Sequence, residues 1–239
     1  MVDKKINTMV GVDEVGRGAL CGPVSLGFFR SLDELPRLTF NYPNSNWASG
    51  HFQDLKFVKD SKKLKSQERE RVLEVLKNYR HQGLVLSASN ILIDDYGIGV
   101  CLSYLVMMGL LILPLKDDEI IIDGQIKILK DFDDSLVKAL CFENQIELDQ
   151  INLLKFETLK PYIIRENKAD DKYLVVALAS NIAKVSRDKF MTVASNSYPK
   201  FNWAQNKGYG TVANREAILQ NPTNPLIRKS FCRKFKPFT

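Results

Sequence analysis

The stretch Gly11-Val-Asp13-Glu14-Val-Gly16-Arg17-Gly18-Ala-Leu-Cys-Gly-Pro-Val24 is the most informative part of this 239-residue chain. It overlaps the apolar run Met9–Val12, which is typical of a short buried strand. Two adjacent carboxylates repel each other and are costly to desolvate unless a cation lies between them. The glycine–arginine–glycine loop that follows offers backbone amides and a guanidinium, which suit a phosphate and a hydroxyl group. The segment therefore indicates a metal site beside a loop that binds a sugar-phosphate.

Composition limits the class of protein. The chain is 45% hydrophobic and 26% charged, which is ordinary for a soluble globular protein. It has no apolar run of the roughly 18 residues that span a membrane and no apolar signal peptide, so we expect a cytoplasmic protein without a membrane partner. Four widely spaced cysteines and two histidines indicate neither a zinc site nor a disulfide framework. The net charge of +6 favours a polyanionic partner.

Strand and helix patterns alternate along the chain. Strands are predicted at Met9–Val12, Pro23–Phe29, Leu84–Ser87 and Glu119–Asp123, the first two as an antiparallel hairpin. Helices are predicted at Ser66–Tyr79, with Ser66 as the cap, at Gly99–Leu113 and at Asp171–Ala194. In the last helix an apolar stripe is formed by Leu174, Leu178, Ile182 and Val185. This mixture predicts an α/β layer built on a central sheet.

The length suits one domain over residues 1–239. Residues 32–56 are rich in proline, asparagine and glycine, which indicates a long surface loop or an insertion. The segment from about residue 221 is rich in Pro, Arg and Lys. We expect it to lie on the surface of the same domain, with a small separate lobe as the alternative.

Three segments place acidic residues at strand ends or before a helix. They are Asp13-Glu14, Asp123 at the end of an apolar β-branched run, and Asp170-Asp171 before the long helix. Sheet folds gather ligands at strand ends, so these acids can converge, and four carboxylates suit two divalent cations such as Mg²⁺. Taken singly, Asp123-Gly124 is also typical of a turn and Asp170 of a helix cap.

Several motifs, taken in order, strongly resemble those of the ribonuclease HII family. They are the Asp-Glu before Gly16-Arg17-Gly18, then Asp60–Leu64 (DSKKL), Ala179–Asp188 (ASNIAKVSRD), Asn206–Thr211 (NKGYGT) and Ile227–Phe231 (IRKSF). The resemblance implies an α/β ribonuclease H-like fold with a mixed central β-sheet flanked by helices. It also implies that Asp13, Glu14, Asp123 and Asp170 are the catalytic metal ligands for Mg²⁺ or Mn²⁺. Asp170 is preferred to Asp171 because it takes the aspartate place of the family's Lys-Gly-Asp pattern, although Ala169 replaces the glycine.

The same resemblance implies a set of nucleic-acid-binding residues. Gly16, Arg17 and Gly18 would form a loop that senses ribose, whose 2′-hydroxyl distinguishes RNA from DNA. Tyr209, between two glycines, would pack on the nucleotide after the ribonucleotide; without the family, a structural tyrosine is the alternative. Lys62 and Lys63 would lie on the phosphate face, and Lys184 and Arg187 would lie near the site as further nucleic-acid-binding residues. For all four, a solvated basic surface is the alternative.

The activity that the resemblance implies is endonucleolytic. The enzyme would hydrolyse the RNA strand of RNA/DNA hybrids and cut 5′ of single ribonucleotides in duplex DNA, through two metal ions, leaving a 3′-hydroxyl and a 5′-phosphate. A monomer is expected. One alternative is the sister enzyme ribonuclease HIII, against which Arg17 and the lack of an evident N-terminal extra domain argue. The other is a non-catalytic nucleic-acid-binding protein, against which the presence of all four acids argues.

Overall fold

The central element of the fold is a mixed β-sheet. The computed structural model describes residues 8–32, 53–115, 118–129, 133–151, 153–159 and 162–234. Within these ranges the strands are β1 (Met9–Val15), β2 (Val24–Ser31), β3 (His81–Ala88), β4 (Glu119–Asp123) and β5 (Ile163–Glu166). Their order is β3-β2-β1-β4-β5, with antiparallel pairing from β1 through β3 and parallel pairing of β1 with β4 and β4 with β5. The predicted α/β class and the predicted β1–β2 hairpin are confirmed.

Eight α-helices lie in the described ranges. They are α1 (Ser66–Leu76), α2 (Asn90–Tyr96), α3 (Ile98–Ile112), α4 (Asp134–Asn144), α5 (Leu153–Leu159), α6 (Leu174–Ser197), α7 (Trp203–Asn206) and α8 (Val212–Gln220). The prediction that Ser66 caps α1 is wrong, because Lys65 is the N-cap residue and the Glu68 carboxylate accepts a hydrogen bond from its backbone N–H at 2.7 Å. The long helix begins at Leu174 rather than Asp171, because Ala169–Asp171 forms a separate 3₁₀ turn.

Helix α6 packs on one face of the sheet at unusually close range. A Cβ atom at Gly11 of β1 would lie 2.2 Å from the backbone carbonyl of Val175, and one at Gly27 of β2 would lie 2.2 Å from the carbonyl oxygen of Ala179. The helix is buried on almost every side from Leu174 to Asn181, so the predicted single stripe is too narrow. The reason is that residues 53–76 cover the side of α6 that faces away from the sheet.

The opposite face of the sheet packs on α3. Val10 and Val12 of β1 belong to the same apolar cluster as most of α3, whereas Met9 and Ile121 belong to the cluster around α6. Side chains of a strand alternate between faces, so Asp13 is on the α6 side. Val12 pairs with Ile122 in the parallel β1–β4 register, so these two side chains lie on the same face. Asp13 and Asp123 each follow one of them in the chain and therefore share the opposite face, on the α6 side. Strand periodicity therefore places these two carboxylates next to each other.

The C-terminal segment returns to the loop between β1 and β2. Ile227 forms an isolated antiparallel bridge with Cys21, and both side chains are buried in a third apolar cluster with Trp203 and Cys232. The predicted insertion at 32–56 falls largely on residues 33–52, outside the described residues. Among the described helices none is long and apolar enough by itself to cross a membrane; only α2 and α3 taken together, bent by 114°, reach that length and composition.

Candidate active site

Three of the four predicted metal ligands converge beside the N-terminal end of α6. Asp13 lies in β1, Asp123 is the last residue of β4, and Asp170 lies in the 3₁₀ turn before α6. One carboxylate oxygen from each lies within 4.8 Å of the other two. The Asp123 carboxylate also accepts a hydrogen bond of 2.7 Å from the backbone N–H of Ala169, which fixes the turn that carries Asp170. The sheet register and this turn together build the cluster.

Burial and mutual repulsion make this cluster electrostatically costly. Asp13 is only 2% exposed, and Asp170 only 5%. Desolvation raises the pKa of Asp13 well above its usual value, the neighbouring carboxylates raise it further, and a hydrogen bond with Ser180 partly offsets both. Desolvation and the charge of Asp123 raise the pKa of Asp170 to about 6. Such a cluster of ionised carboxylates is stabilised by a bound cation.

Glu14 lies at the edge of the cluster rather than within the close group of three. Its Oε1 atom accepts a hydrogen bond of 3.3 Å from the Arg17 guanidinium. Its Oε2 atom is buried and has no hydrogen-bond partner among the described residues. A buried carboxylate oxygen without a partner is unfavourable unless a ligand satisfies it. These four residues therefore fit a site for hard divalent cations, which prefer carboxylate oxygens.

The neighbouring Asp171 plays a different part from Asp170. Its carboxylate forms an ion pair with Lys63 and is partly exposed, whereas Asp170 is buried in the cluster. This contact ties the predicted Asp60–Leu64 motif to the turn before α6. Lys63 is therefore engaged with Asp171 in the structure, while its neighbour Lys62 lines the groove described next.

A groove of about 520 Å³ begins at Glu14 and runs along the loop after β1. Most of the predicted nucleic-acid-binding residues line it, namely Gly16, Arg17, Gly18, Lys62, Lys184 and Tyr209, and Val15, Ser61 and Arg69 complete the lining. Desolvation would lower the pKa of Lys62, but the carboxylates of Asp60, Asp13, Asp170 and Asp123 together raise it. The groove thus has cationic walls and lies close to the clustered carboxylates, which act on Lys62.

Lys184 and Tyr209 form one wall of the groove. The Lys184 ammonium donates a hydrogen bond of 2.8 Å to Asp188 and lies 5.7 Å from the centre of the Tyr209 ring. Asp188 also faces Arg69 of α1 at 3.6 Å. Arg69 in turn donates to the carbonyl oxygens of Ser61 and Leu64. This chain of contacts holds Lys184 in place and fixes the turn that carries Lys62.

Arg187 departs from the prediction. It is 1% exposed, and its guanidinium donates hydrogen bonds to the carbonyl oxygens of Pro23, Lys207 and Cys21 at 2.8–3.1 Å. A side chain this deeply buried neither contacts a phosphate of a bound duplex nor belongs to a solvated basic surface. The side chain points inward because the loop between β1 and β2 folds over this part of α6 and leaves carbonyl groups that need donors. Arg187 therefore supports the loop from beneath.

Sequence reasoning gave no role to three other supporting residues. Arg69 and Arg228 are cations held by backbone carbonyls, and Ser180 hydrogen-bonds Ser61 at 2.8 Å beside Asp13. Ser180 and Arg228 lie within the motifs quoted above, and that is the signal the sequence offers for them. Ser180 and Arg228 each bind a residue more than a hundred positions away in the sequence. Local sequence patterns cannot predict such contacts.

Comparison with known proteins identifies the family. Residues 49–235 match the family model described as Ribonuclease HII. A curated protein named Ribonuclease HII from Clostridium tetani (strain Massachusetts / E88) is 32% identical over 237 residues, which cover 98% of this chain and 72% of that protein. Asp13 and Glu14 precede the family-model match. Because the alignment with the Clostridium tetani protein covers 98% of the chain, it includes both residues.

Solved structures agree with the fold. The crystal structure of the ribonuclease H2 from Pyrococcus horikoshii OT3 has a TM-score of 0.61 at 24% identity and covers 95% of this chain and 96% of its own. The structure of Bst-RNase HIII in complex with Mn²⁺ has a TM-score of 0.55 at 21% identity. The match covers 92% of this chain and 63% of that one. These likenesses show a ribonuclease H-like fold, and the sequence matches are more specific: this chain belongs to the ribonuclease HII family.

Proposed function

We propose that this ribonuclease H hydrolyses the RNA strand of RNA/DNA hybrids and also cuts duplex DNA on the 5′ side of a single embedded ribonucleotide. The observation that carries the proposal is the cluster of Asp13, Asp123 and Asp170. It lies next to Glu14 and Lys62, which line the groove. The adjoining wall of that groove is the Gly16–Gly18 loop. A cleavage centre next to a ribose-contacting loop suits a phosphodiester bond beside a 2′-hydroxyl group.

Asp13, Glu14, Asp123 and Asp170 would hold the divalent cations, which we propose to be two Mg²⁺ or Mn²⁺ ions. Bound at these carboxylates, such ions supply an activated water and neutralise charge on the scissile phosphate. The buried carboxylates and the unpartnered Glu14 oxygen support this assignment. Attack by water on the phosphorus atom 5′ to the ribonucleotide, with the 3′-oxygen of the preceding nucleotide as the leaving group, gives a 3′-hydroxyl and a 5′-phosphate.

The other groove residues would position the substrate. Backbone groups of Gly16–Gly18 contact the ribose, because glycine allows a ligand to approach the backbone closely. The Lys62 and Lys184 ammonium groups contact phosphates, which fixes the duplex without reading its sequence. Tyr209, partly exposed between two glycines, stacks on the sugar or base next to the ribonucleotide.

A cleavage assay with end-labelled RNA/DNA hybrid tests the general activity. We expect cleavage with Mg²⁺ or Mn²⁺, none with EDTA, and a product whose 3′ end can be extended by a polymerase without phosphatase treatment. An Asp13→Asn variant is the matched negative control. Metal-independent cleavage, or a 3′-phosphate product, would exclude the proposed chemistry. Tight binding without cleavage in every metal would favour a binding protein instead.

A further inference from the structure

Two buried guanidinium groups lie beneath the Gly16–Gly18 loop. Arg187 of α6 is 1% exposed and Arg228 of the C-terminal segment is fully buried. Arg228 donates hydrogen bonds to the carbonyl oxygens of Gly22, Gly16 and Arg17 at 2.8, 2.8 and 3.1 Å. Burying an arginine is costly, and these contacts to backbone carbonyls offset part of the cost.

Both arginines bind the end of the loop, and Arg228 also binds its start. Arg187 donates to the carbonyls of Cys21 and Pro23, whereas Arg228 donates to that of Gly22 and to those of Gly16 and Arg17. Arg187 also lies directly against Gly16, since a Cβ atom there would be 2.1 Å from its Nε atom. Gly16 has a φ of 83°, a conformation that favours glycine. The two arginines therefore hold the loop from beneath at both of its ends.

The contacts of Arg228 determine which way two peptide groups face. In a trans peptide, the carbonyl of one residue and the N–H of the next point in opposite directions. The carbonyls of Gly16 and Arg17 both point inward to Arg228, so the N–H groups of Arg17 and Gly18 point outward. Neither N–H donates a hydrogen bond within the described part of the chain. Both residues line the groove beside the clustered carboxylates.

We propose that Arg228, assisted by Arg187, is a positioning residue that aims the Arg17 and Gly18 amides at the ribose 2′-oxygen and the adjacent phosphate. Two parallel N–H groups form a small anion- and hydroxyl-binding site. The Nη2 atom of Arg228 is buried without a partner among the described residues, so its positive charge adds to the field behind these amides. Burial lowers the pKa of Arg228 to about 9, which leaves it protonated near neutral pH.

This inference rests on the proposed function and explains how the loop distinguishes ribose. A side chain that only stabilised the fold would reduce binding to every duplex equally. A side chain that aims the amides affects the ribonucleotide-containing duplex more than the all-DNA duplex, because only the former presents the 2′-hydroxyl. The ratio of the two dissociation constants therefore separates the two roles.

The test compares Arg228→Lys with Arg30→Lys. Arg30 of β2 is a matched control because it is also a partly buried arginine in a polar contact. Its Nε atom lies 2.8 Å from a carboxylate oxygen of Asp118, away from the loop. Dissociation constants are measured for a duplex with one ribonucleotide and for the same all-DNA duplex, with Ca²⁺ in place of Mg²⁺ and intact substrate checked on a gel. We expect Arg228→Lys to reduce the preference for the ribonucleotide at least fivefold, and Arg30→Lys to leave it unchanged.

A double variant shows whether Arg228 acts through the loop. Replacing Gly18 by proline removes one of the two outward N–H groups, and we expect Arg228→Lys to lower the preference much less in that background. An unchanged preference in Arg228→Lys, or loss of its cooperative thermal unfolding, would overturn the proposal, since the residue would then serve the fold alone. A wild-type protein without any preference would instead contradict the proposed function itself.

Discussion

Lys63 forms an ion pair with Asp171, and this contact separates the roles of two adjacent aspartates. Asp171 is turned toward Lys63, whereas its neighbour Asp170 faces Asp13 and Asp123. The same contact joins the Asp60–Leu64 motif to the turn before α6. Two segments far apart in the chain are thereby held together beside the clustered carboxylates.

This division of roles predicts opposite behaviour for two conservative variants. Asp170→Asn should abolish cleavage, by at least about 10³-fold, and should also remove most of the rise in melting temperature that Mn²⁺ gives the wild type. Asp171→Asn should keep the metal-dependent rise and most of the activity, since its ion pair with Lys63 is partly exposed and such pairs are worth about 1 kcal/mol or less. Thermal unfolding with EDTA and with Mn²⁺ measures both. Equal loss of the Mn²⁺ effect in the two variants would contradict the assignment.

The ligands in the sheet should be needed for chemistry but not for folding. Asp13→Asn and Asp123→Asn each replace a repelled carboxylate by an amide of nearly the same shape. We expect cleavage to be lost in both, with the circular dichroism spectrum unchanged and the metal-free protein at least as stable as the wild type. Near-normal turnover in either variant would show that the metal site lies elsewhere.

The loop and the tyrosine should govern discrimination at the DNA–RNA junction. We expect Arg17→Ala and Tyr209→Ala to weaken binding of the ribonucleotide-containing duplex more than binding of all-DNA duplex, with a loss of about 1–3 kcal/mol for the stacking residue. Tyr209→Phe keeps the ring and should retain most of the affinity. Titrations of both duplexes provide the measurement, and parallel losses on the two would argue for a purely structural tyrosine.

Lys184 should contribute one phosphate contact. Its replacement by alanine should raise KM with little change in kcat and reduce the salt dependence of binding by about one ion. The control is Lys77→Ala, because that lysine pairs with Glu74 on the exposed side of α1, outside the groove. Binding measured across a series of salt concentrations gives the slope. The same slope for wild type and Lys184→Ala would remove this residue from the interface.

The close approach of α6 to the sheet should make Gly11 sensitive to any side chain. Gly11→Ala places a methyl group against the backbone of Val175, so we expect a destabilisation of about 1–3 kcal/mol or more. Gly99 of α3 has open space where its Cβ would lie. Gly99→Ala should therefore be neutral or stabilising by up to about 1 kcal/mol. Urea unfolding of the two variants in EDTA tests the difference, and equal stabilities would contradict the packing.

Much of the fold is visible in the sequence because its elements have strong local patterns. The first four strands and the buried helix α3 follow from runs of apolar and β-branched residues. Strand β5 escaped prediction because its four residues, Ile163–Glu166, include two charges and lie at the edge of the sheet. The sequence also did not predict the full burial of the N-terminal half of α6, because that burial depends on residues 53–76 packing over the helix and not on the helix's own periodicity.

The site is partly predictable for the same reason. Strand alternation places Asp13 and Asp123 on one side, and the family motif favours Asp170. Arg187 was misjudged because a helical pattern alone cannot show that a loop 164 residues earlier covers that helix face. The burial of a cation on backbone carbonyls is a tertiary effect that composition does not reveal.

The measurement that tests the central claim most directly is cleavage of a labelled DNA duplex containing one ribonucleotide, with Mg²⁺, Mn²⁺ or EDTA. We predict a single metal-dependent cut on the 5′ side of the ribonucleotide, with a 3′-hydroxyl on the upstream fragment. Cleavage of long RNA/DNA hybrids without any cut at a lone ribonucleotide would contradict the proposed specificity and favour the behaviour expected of ribonuclease HIII.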